Sequence, residues 1–176
     1  MTSLTLILSG LGDEMNSDVN YAVIEQQLTA LIGNEKDALA NCANLVGLLF
    51  AEMPNINWLG IYVLRDHELV LGPFQGLPAC VRISLGQGVC GAAAAQLQTL
   101  RVANVHEFSG HIACDPATRS ELVVPLIAAG KLIGVLDIDS PDNDRFSEED
   151  QRGVESLCAQ FVTFLLTHDA ELKNFI

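Results

Sequence analysis

The chain has 176 residues, a length typical of one ordinary domain. Hydrophobic residues make up 49% of it and charged residues 18%, so it can bury a substantial core and is not a disordered protein. Its net charge of −13 creates a field that repels nucleic acid and anionic lipid, so we expect neither partner.

The N-terminal segment lacks the marks of an export signal. Its short apolar patch, Leu4–Leu8, follows no positively charged region and precedes no small-residue cleavage site. No apolar run approaches the ~18 residues that span a bilayer. We therefore expect a cytoplasmic protein with a loosely ordered tail over residues 1–20 and a single domain over residues 21–176. Because a regular helical pattern begins only after Met15, we hypothesise that Met15 is the natural start.

The first half of the domain is predicted as two helices followed by three strands. Apolar residues recur at helical spacing over Tyr21–Ile32, with Asn20 as the N-cap. The same spacing runs over about Glu35–Met53, and Pro54 marks the end of this second helix. Short β-prone runs then predict three consecutive antiparallel strands: Trp58–Leu64, Glu68–Pro73 and Ala79–Ile83.

The second half is predicted to add a helix, three strands and a last helix. The predicted segments are helix Val89–Gln96, strand Leu100–Val102, loop Ala103–Ser120, and the hairpin strands Ser120–Ala128 and Leu132–Asp139. Ser147 can cap the last helix, whose acidic first turn suits the helix dipole. This order indicates a mixed helix-and-sheet domain with roughly six strands. The loop is longer than ordinary connections, and loops of this length in compact domains are usually functional or disordered.

The chain contains five cysteines, an odd number: Cys42, Cys80, Cys90, Cys114 and Cys158. In a reducing cytosol such residues are catalytic, metal-bound or buried, because structural disulfides are rare there. Cys42 and Cys158 lie on the apolar stripes of predicted helices, so we assign them to the core. The other three lie in the middle third of the chain, which favours a shared chemical role.

Cys114 lies in the long predicted loop. A loop cysteine becomes a reactive thiolate where nearby positive charge lowers its pKa. The side chains of His106, His111 and Arg119 could supply that charge. The carboxylate of Asp115 would oppose it.

Cys80 and Cys90 are further candidates. Cys80 follows a turn and is predicted to lie on a strand beside Arg82. Cys90 is predicted in the first turn of a helix, where unpaired backbone N–H groups favour a thiolate. For each of the three cysteines the alternative is a small buried hydrophobe. Zinc is another alternative, because His106 and His111 add ligand types, but the chain has no C-x-x-C or H-x-x-x-H pair and we predict no metal.

An acidic cluster is the second chemical signal. Asp137 and Asp139 end an otherwise apolar strand and project from the same face of it. Glu121 begins the partner strand of that hairpin. Carboxylates gathered at one end of a sheet repel one another, which raises the pKa of at least one and lets it donate a proton near neutral pH. The alternatives are a solvated strand end and a magnesium site, although nothing nearby resembles a phosphate cradle.

Trp58 is the only tryptophan, and Tyr62 lies four residues along the same predicted strand. The two rings therefore share one face of the sheet. Such a pair is more often part of a core than of a binding wall. It would suit a ligand that bears a thioether, because sulfur packs favourably against aromatic rings.

Together with their surroundings, these residues closely resemble the free methionine-(R)-sulfoxide reductases. The resemblance covers about Tyr21–Leu166 and rests on six stretches: Asn57–Tyr62, Leu71–Cys80, Gly86–Gly91, Gly110–Asp115, Ser120–Leu126 and Gly134–Ser140. Three cysteines combined with the elements G-H-I-A-C-D and D-I-D-S are specific to that family. Ordinary GAF domains, which bind cyclic nucleotides or tetrapyrroles, lack this combination.

The resemblance implies an α+β, GAF-like fold with a six-stranded antiparallel sheet and helices on both faces, and a homodimer. It implies that Cys114 attacks, with Cys80 and Cys90 available as resolving thiols. The implied substrate-binding residues are Trp58 and Tyr62 around the methyl group and sulfur, and Glu121, Asp137 and Asp139 around the ammonium group and the sulfoxide oxygen. No cofactor is implied.

The implied reaction reduces free L-methionine-(R)-sulfoxide to methionine. Cys114 attacks the sulfoxide sulfur, Glu121 or Asp139 protonates the departing oxygen, and Cys114 becomes a sulfenic acid. A second thiol then forms a disulfide, which thioredoxin, the implied reductant, resets by exchange. Attack by Cys90 stays an open alternative, because a helix N-terminus also activates thiols. A non-catalytic GAF sensor of a small molecule or of redox state is the rival function.

Overall fold

The computed structural model describes residues 19–110 and 115–167 of the chain. The predictions for the tail, for Met15 as the start and for residues 168–176 of the domain therefore fall outside the described residues, as do His111 and Cys114. Of the predicted tail, Val19 packs against the core, and the side chain of Asn20 caps the first helix.

The described chain contains four helices, six strands and one short 3-10 turn. In chain order they are α1 (Tyr21–Ile32), α2 (Ala38–Glu52), β1 (Trp58–Arg65), β2 (Glu68–Gln75), β3 (Arg82–Ser84), α3 (Gly88–Gln96), β4 (Leu100–Val102), the 3-10 turn (Val105–Glu107), β5 (Ser120–Ala128), β6 (Lys131–Ser140) and α4 (Glu148–Thr167). None of the described helices is both long enough and apolar enough to cross a membrane.

The six strands form one antiparallel sheet in the order β3-β2-β1-β6-β5-β4. Alternate residues of each strand face opposite sides. Leu59 and Ile61 of β1 therefore pack in the core under α1, α2 and α4, whereas Trp58 and Tyr62 pack with α3 on the other side. The prediction of an α+β domain with a six-stranded antiparallel sheet and helices on both faces is confirmed.

Two predicted boundaries were wrong. Helix α2 begins at Ala38 rather than at Glu35, because the Asp37 side chain accepts a hydrogen bond from the backbone N–H of Ala40 at 2.9 Å and caps the helix there. Strand β3 begins only at Arg82, so Cys80 lies in the loop between β2 and β3 and not on a strand.

The segment before β3 leaves the sheet because side chains of β1 bind its backbone. The Leu77 carbonyl accepts a hydrogen bond from Trp58 Nε1 at 3.0 Å, and the Cys80 carbonyl accepts one from the Tyr62 hydroxyl at 3.0 Å. Buried backbone groups need partners, and here aromatic side chains provide them. As a result the Cys80 loop lies beside the aromatic pair.

The predicted cap of the last helix is confirmed. Asp150 N–H donates to Ser147 Oγ at 3.0 Å, and Ser147 N–H donates back to Asp150 Oδ2 at 2.8 Å. Asp150 also accepts hydrogen bonds from the Tyr21 hydroxyl at 2.7 Å and from Arg145 at 3.2 Å. These contacts join the two ends of the domain across 129 positions of sequence.

Candidate active site

A row of side chains crosses three neighbouring strands on the sheet face that α3 covers. Trp58 of β1 lies directly opposite Asp139 of β6, which lies opposite Glu121 of β5. Two residues earlier on β6, Asp137 faces the same side and lies opposite Gly60. The structure thus brings the three predicted carboxyl groups together at one end of the sheet, beside Trp58.

The aromatic pair forms one wall of this region. The Trp58 ring lies 5.9 Å from the Tyr62 ring and 5.6 Å from the Phe74 ring, centre to centre, in stacked arrangements. A side chain at Gly60 would overlap the indole, so this glycine makes room for the ring. With Nε1 bound to the Leu77 carbonyl, the indole is held in one orientation.

A pocket opens between this wall, the carboxyl groups and the N-terminus of α3. Of the seven predicted site residues that the structure describes, six line it: Trp58, Tyr62, Cys90, Glu121, Asp137 and Asp139. Its other lining residues include Leu77, Pro78, Ala79, Ile83, Gln87, Asp115 and Thr118. The seventh predicted residue, Cys80, directly follows Ala79 in the loop at the pocket rim. Cys114 lies outside the described residues, but the next residue in the chain, Asp115, is part of the pocket wall.

The described cysteines fall into three states. Cys80 is disulfide-bonded. Cys42 and Cys158 are free thiols buried in the core beneath α1, α2 and α4, as predicted. Cys90 is a free thiol buried against the pocket.

The surroundings of Cys90 do not favour a thiolate. It is the third residue of α3 and only 4% exposed, and its Sγ donates a hydrogen bond to Glu121 Oε1 at 3.9 Å. Burial, followed by the charges of Asp137 and Glu121, raises the pKa of the Cys90 thiol well above its usual value. The buried carboxyl groups thus oppose the effect of the helix N-terminus, which disfavours the alternative in which Cys90 attacks.

The carboxyl groups also hold their protons more tightly than usual. Burial, then repulsion by Asp137 and Asp139, raises the pKa of Glu121 well above its ordinary value. Burial and the charge of Asp137 do the same for Asp139. For Asp137, burial outweighs the hydrogen bonds that stabilise its charge and raises its pKa to about 6. The pocket therefore contains carboxylic acids that can donate a proton near neutral pH.

Sequence reasoning missed a group of residues that fixes the end of the long loop to the pocket. Asp115 Oδ2 accepts a hydrogen bond from Asn57 Nδ2 at 2.9 Å, and its Oδ1 accepts one from the Ala117 N–H at 2.8 Å. Thr118 Oγ1 lies 3.4 Å from the same Asn57 nitrogen. The only signal was the position of Asn57 and Asp115, directly before Trp58 and directly after Cys114.

Two of the predicted sources of positive charge near Cys114, His106 and Arg119, bind each other. His106 Nε2 lies 2.9 Å from Nη1 of Arg119. A guanidinium can only donate, so this imidazole nitrogen accepts the hydrogen bond.

Replacing Asp137 by asparagine is expected to stabilise the protein above neutral pH. Because the pKa of Asp137 is raised to about 6 in the folded state, its ionised form disfavours folding. The contribution of Asp137 to the free energy of unfolding is therefore fully present below its unfolded pKa and is lost as the pH rises through about 6. Asparagine carries no charge, so it avoids this loss. The difference in the free energy of unfolding between variant and wild type should therefore shift in favour of the variant by about 1–3 kcal/mol between pH ~5 and pH ~8. Urea denaturation at both pH values measures this, with the exposed Glu52→Gln as the control. An identical pH dependence in Asp137→Asn and the wild type would contradict it.

Comparison with known proteins identifies the family of this chain. Residues 34–164 match the GAF domain family. The chain is 49% identical over 155 residues to the free methionine-R-sulfoxide reductase of Escherichia coli, which covers 88% of this chain and 94% of the relative. It is 44% identical over 124 residues to the enzyme of the same name from Saccharomyces cerevisiae, covering 68% and 69%. The X-ray structure of free methionine-R-sulfoxide reductase from Neisseria meningitidis in complex with its substrate superposes with a TM-score of 0.81 at 38% identity, covering 85% of this chain and 90% of that one. The chain therefore belongs to the GAF domain family and, within it, to the free methionine-R-sulfoxide reductases.

Proposed function

We propose that this protein reduces free L-methionine-(R)-sulfoxide to L-methionine. The observation that carries the proposal is the pocket in which an aromatic wall faces three buried carboxyl groups, next to a loop whose Cys80 is in a disulfide. The names of the Escherichia coli and Neisseria meningitidis relatives point to the same reaction.

The pocket suits a free amino acid. The methyl group and sulfur of the substrate pack against the rings of Trp58 and Tyr62, since sulfur–aromatic contacts are favourable. The α-ammonium group binds among the carboxylates, where Asp137 Oδ1 is buried without a hydrogen-bond partner. A peptide-bound methionine sulfoxide has no α-ammonium group to offer, so we expect it to be a poor substrate.

Cys114 is the proposed nucleophile. Its thiolate attacks the sulfoxide sulfur while Glu121 or Asp139 gives a proton to the oxygen, and the products are methionine and a Cys114 sulfenic acid. The raised pKa values of both carboxyl groups support the acid role, because each retains a proton to give. Cys90 supports the mechanism as a hydrogen-bond donor to Glu121 rather than as the attacking thiol.

The disulfide supports a role for Cys80 as the resolving thiol. Because Cys42, Cys90 and Cys158 are free, we propose that Cys114 is the disulfide partner of Cys80. In turnover, the Cys80 thiol condenses with the sulfenic acid, releasing water and forming the bond. An external dithiol protein of the thioredoxin type then reduces it, and we propose that the enzyme works in the reducing cytosol, where such reductants act. We further propose that the protein is a homodimer. Val23 and Leu31 of α1 are exposed apolar side chains that a second copy can contact.

The function is tested by following thioredoxin-coupled oxidation of NADPH with free L-methionine-(R)-sulfoxide. The S epimer and an N-acetylated R sulfoxide serve as matched substrates that change one recognised feature each. We expect sustained turnover of the free R form and little of either analogue. Binding of the free R form without turnover would instead favour the sensor.

Trp58→Ala is expected to weaken substrate binding by roughly 10–100-fold while changing the maximal rate less. The variant loses about 1.5–3 kcal/mol of apolar burial and sulfur–aromatic contact. Trp58→Phe is the matched control, because it keeps an aromatic ring in the wall while it removes the Nε1 hydrogen bond and one ring of the indole. Steady-state kinetics separates KM from kcat for the three proteins. An unchanged KM in Trp58→Ala would remove this residue from the binding wall.

A further inference from the structure

The wall of the pocket contains a mixed set of metal donors. Cys90 of α3, Glu121 of β5 and Asp137 of β6 each offer one ligand atom, and these atoms lie within 4.8 Å of one another. Cys90 Sγ and Glu121 Oε1 are 3.9 Å apart. A tetrahedral ion with Zn–S near 2.3 Å and Zn–O near 2.1 Å holds such a pair about 3.6 Å apart. Cys90 Sγ and Glu121 Oε1 thus need to approach each other only slightly to coordinate one ion.

A second observation points to a ligand at this cluster. Asp137 is only 6% exposed, and its Oδ1 has no hydrogen-bond partner among the described residues. None of the described ion pairs involves the cluster. An unpartnered buried carboxylate oxygen is costly, and a bound cation removes that cost.

We propose that Cys90, Glu121 and Asp137 form a binding site for Zn²⁺. Magnesium and calcium require oxygen ligands only, whereas Zn²⁺ accepts thiolate together with carboxylate. All three side chains sit on regular elements, so the site is rigid, and the open side of the pocket leaves a fourth position for water. This site uses no histidine and differs from the zinc site considered from the sequence.

Zinc in this position inhibits the reductase. It takes up the carboxyl groups that hold the substrate ammonium and protonate the sulfoxide oxygen, so ion and substrate exclude each other. This consequence rests on the proposed function, whereas zinc binding itself does not.

Binding is measured on the oxidised protein, in which Cys80 is in its disulfide and the free thiols of the described chain are Cys42, Cys90 and Cys158. Calorimetric titration with Zn²⁺ and the thiolate-to-metal absorption of Co²⁺ report the site. We expect one ion per chain, weakened at least about tenfold by Cys90→Ala and by the isosteric Glu121→Gln. Cys42→Ala is the matched control and should bind as the wild type does. Absence of binding, or affinities unchanged by both Cys90→Ala and Glu121→Gln, overturns the proposal.

Competition separates this inference from the proposed function. Free L-methionine-(R)-sulfoxide should raise the apparent dissociation constant for Zn²⁺ in proportion to its concentration. Zinc binding that depends on Cys90, in a protein that shows no reductase activity, would retain the metal site and refute the enzyme. Reductase activity that Zn²⁺ leaves unchanged at saturating metal would refute the metal site and retain the enzyme.

Discussion

Cys114→Ser is expected to lower the turnover of free L-methionine-(R)-sulfoxide by at least about a thousandfold. The hydroxyl of serine is not ionised near neutral pH and is a poor nucleophile toward sulfur, so the first bond does not form. Binding should persist, because the aromatic wall and the carboxyl groups are unchanged. The variant should therefore retain substrate affinity within a few-fold while losing the chemistry.

The amount of methionine formed per chain by the reduced protein distinguishes the thiols. With reduced thioredoxin and no small thiol present, wild type should form methionine repeatedly, and Cys80→Ser should form about one methionine per chain before the unresolved sulfenic acid stops it. Cys158→Ala, which alters a core thiol of α4, should behave as the wild type. Full turnover by Cys114→Ser would move the nucleophile elsewhere, with Cys90 as the next candidate.

The sheet and its acidic end could be predicted from local pattern. A run of apolar residues with aspartates two apart shows both the strand and the shared face of Asp137 and Asp139. The tight turn at residues 129–130 brings Glu121 opposite Asp139, so a nearly correct hairpin register also predicts the cluster. These inferences hold because strand period and hairpin pairing depend on neighbours in sequence.

The parts that were missed depend on contacts between distant segments. Cys90 looked activated because a helix N-terminus is visible in sequence, whereas the carboxyl groups that oppose it come from strands 31 or more positions away. The segment around Cys80 has the sequence pattern of a strand, but its backbone carbonyls accept hydrogen bonds from Trp58 and Tyr62 of β1. Nothing in the local sequence reports burial of this kind.

Glu121→Gln is expected to slow formation of the sulfenic acid by about 10²–10⁴-fold, the usual contribution of a positioned general acid. Glutamine keeps the shape of the side chain but has no carboxylic proton to give. Substrate affinity should fall far less than the rate. Asp139→Asn is the matched comparison, because Asp139 lies directly opposite and also holds its proton tightly. The variant with the larger loss in the single-turnover rate identifies the acid, and equal rates for Glu121→Gln and the wild type would refute its role.

The pH dependence of the rate distinguishes an acid role of Glu121 from a merely structural one. A general acid must be protonated to act, so the wild-type rate falls as the pH rises through the raised pKa of Glu121. The rate stays high to a higher pH than an exposed glutamate would allow, because burial favours the neutral carboxyl group, which is the active form. Glu121→Gln should lose this falling limb together with most of the rate. A residual rate that still declined through the same pH range would assign the proton to Asp139 instead, since that carboxyl is the other one in the row with a pKa raised well above its ordinary value.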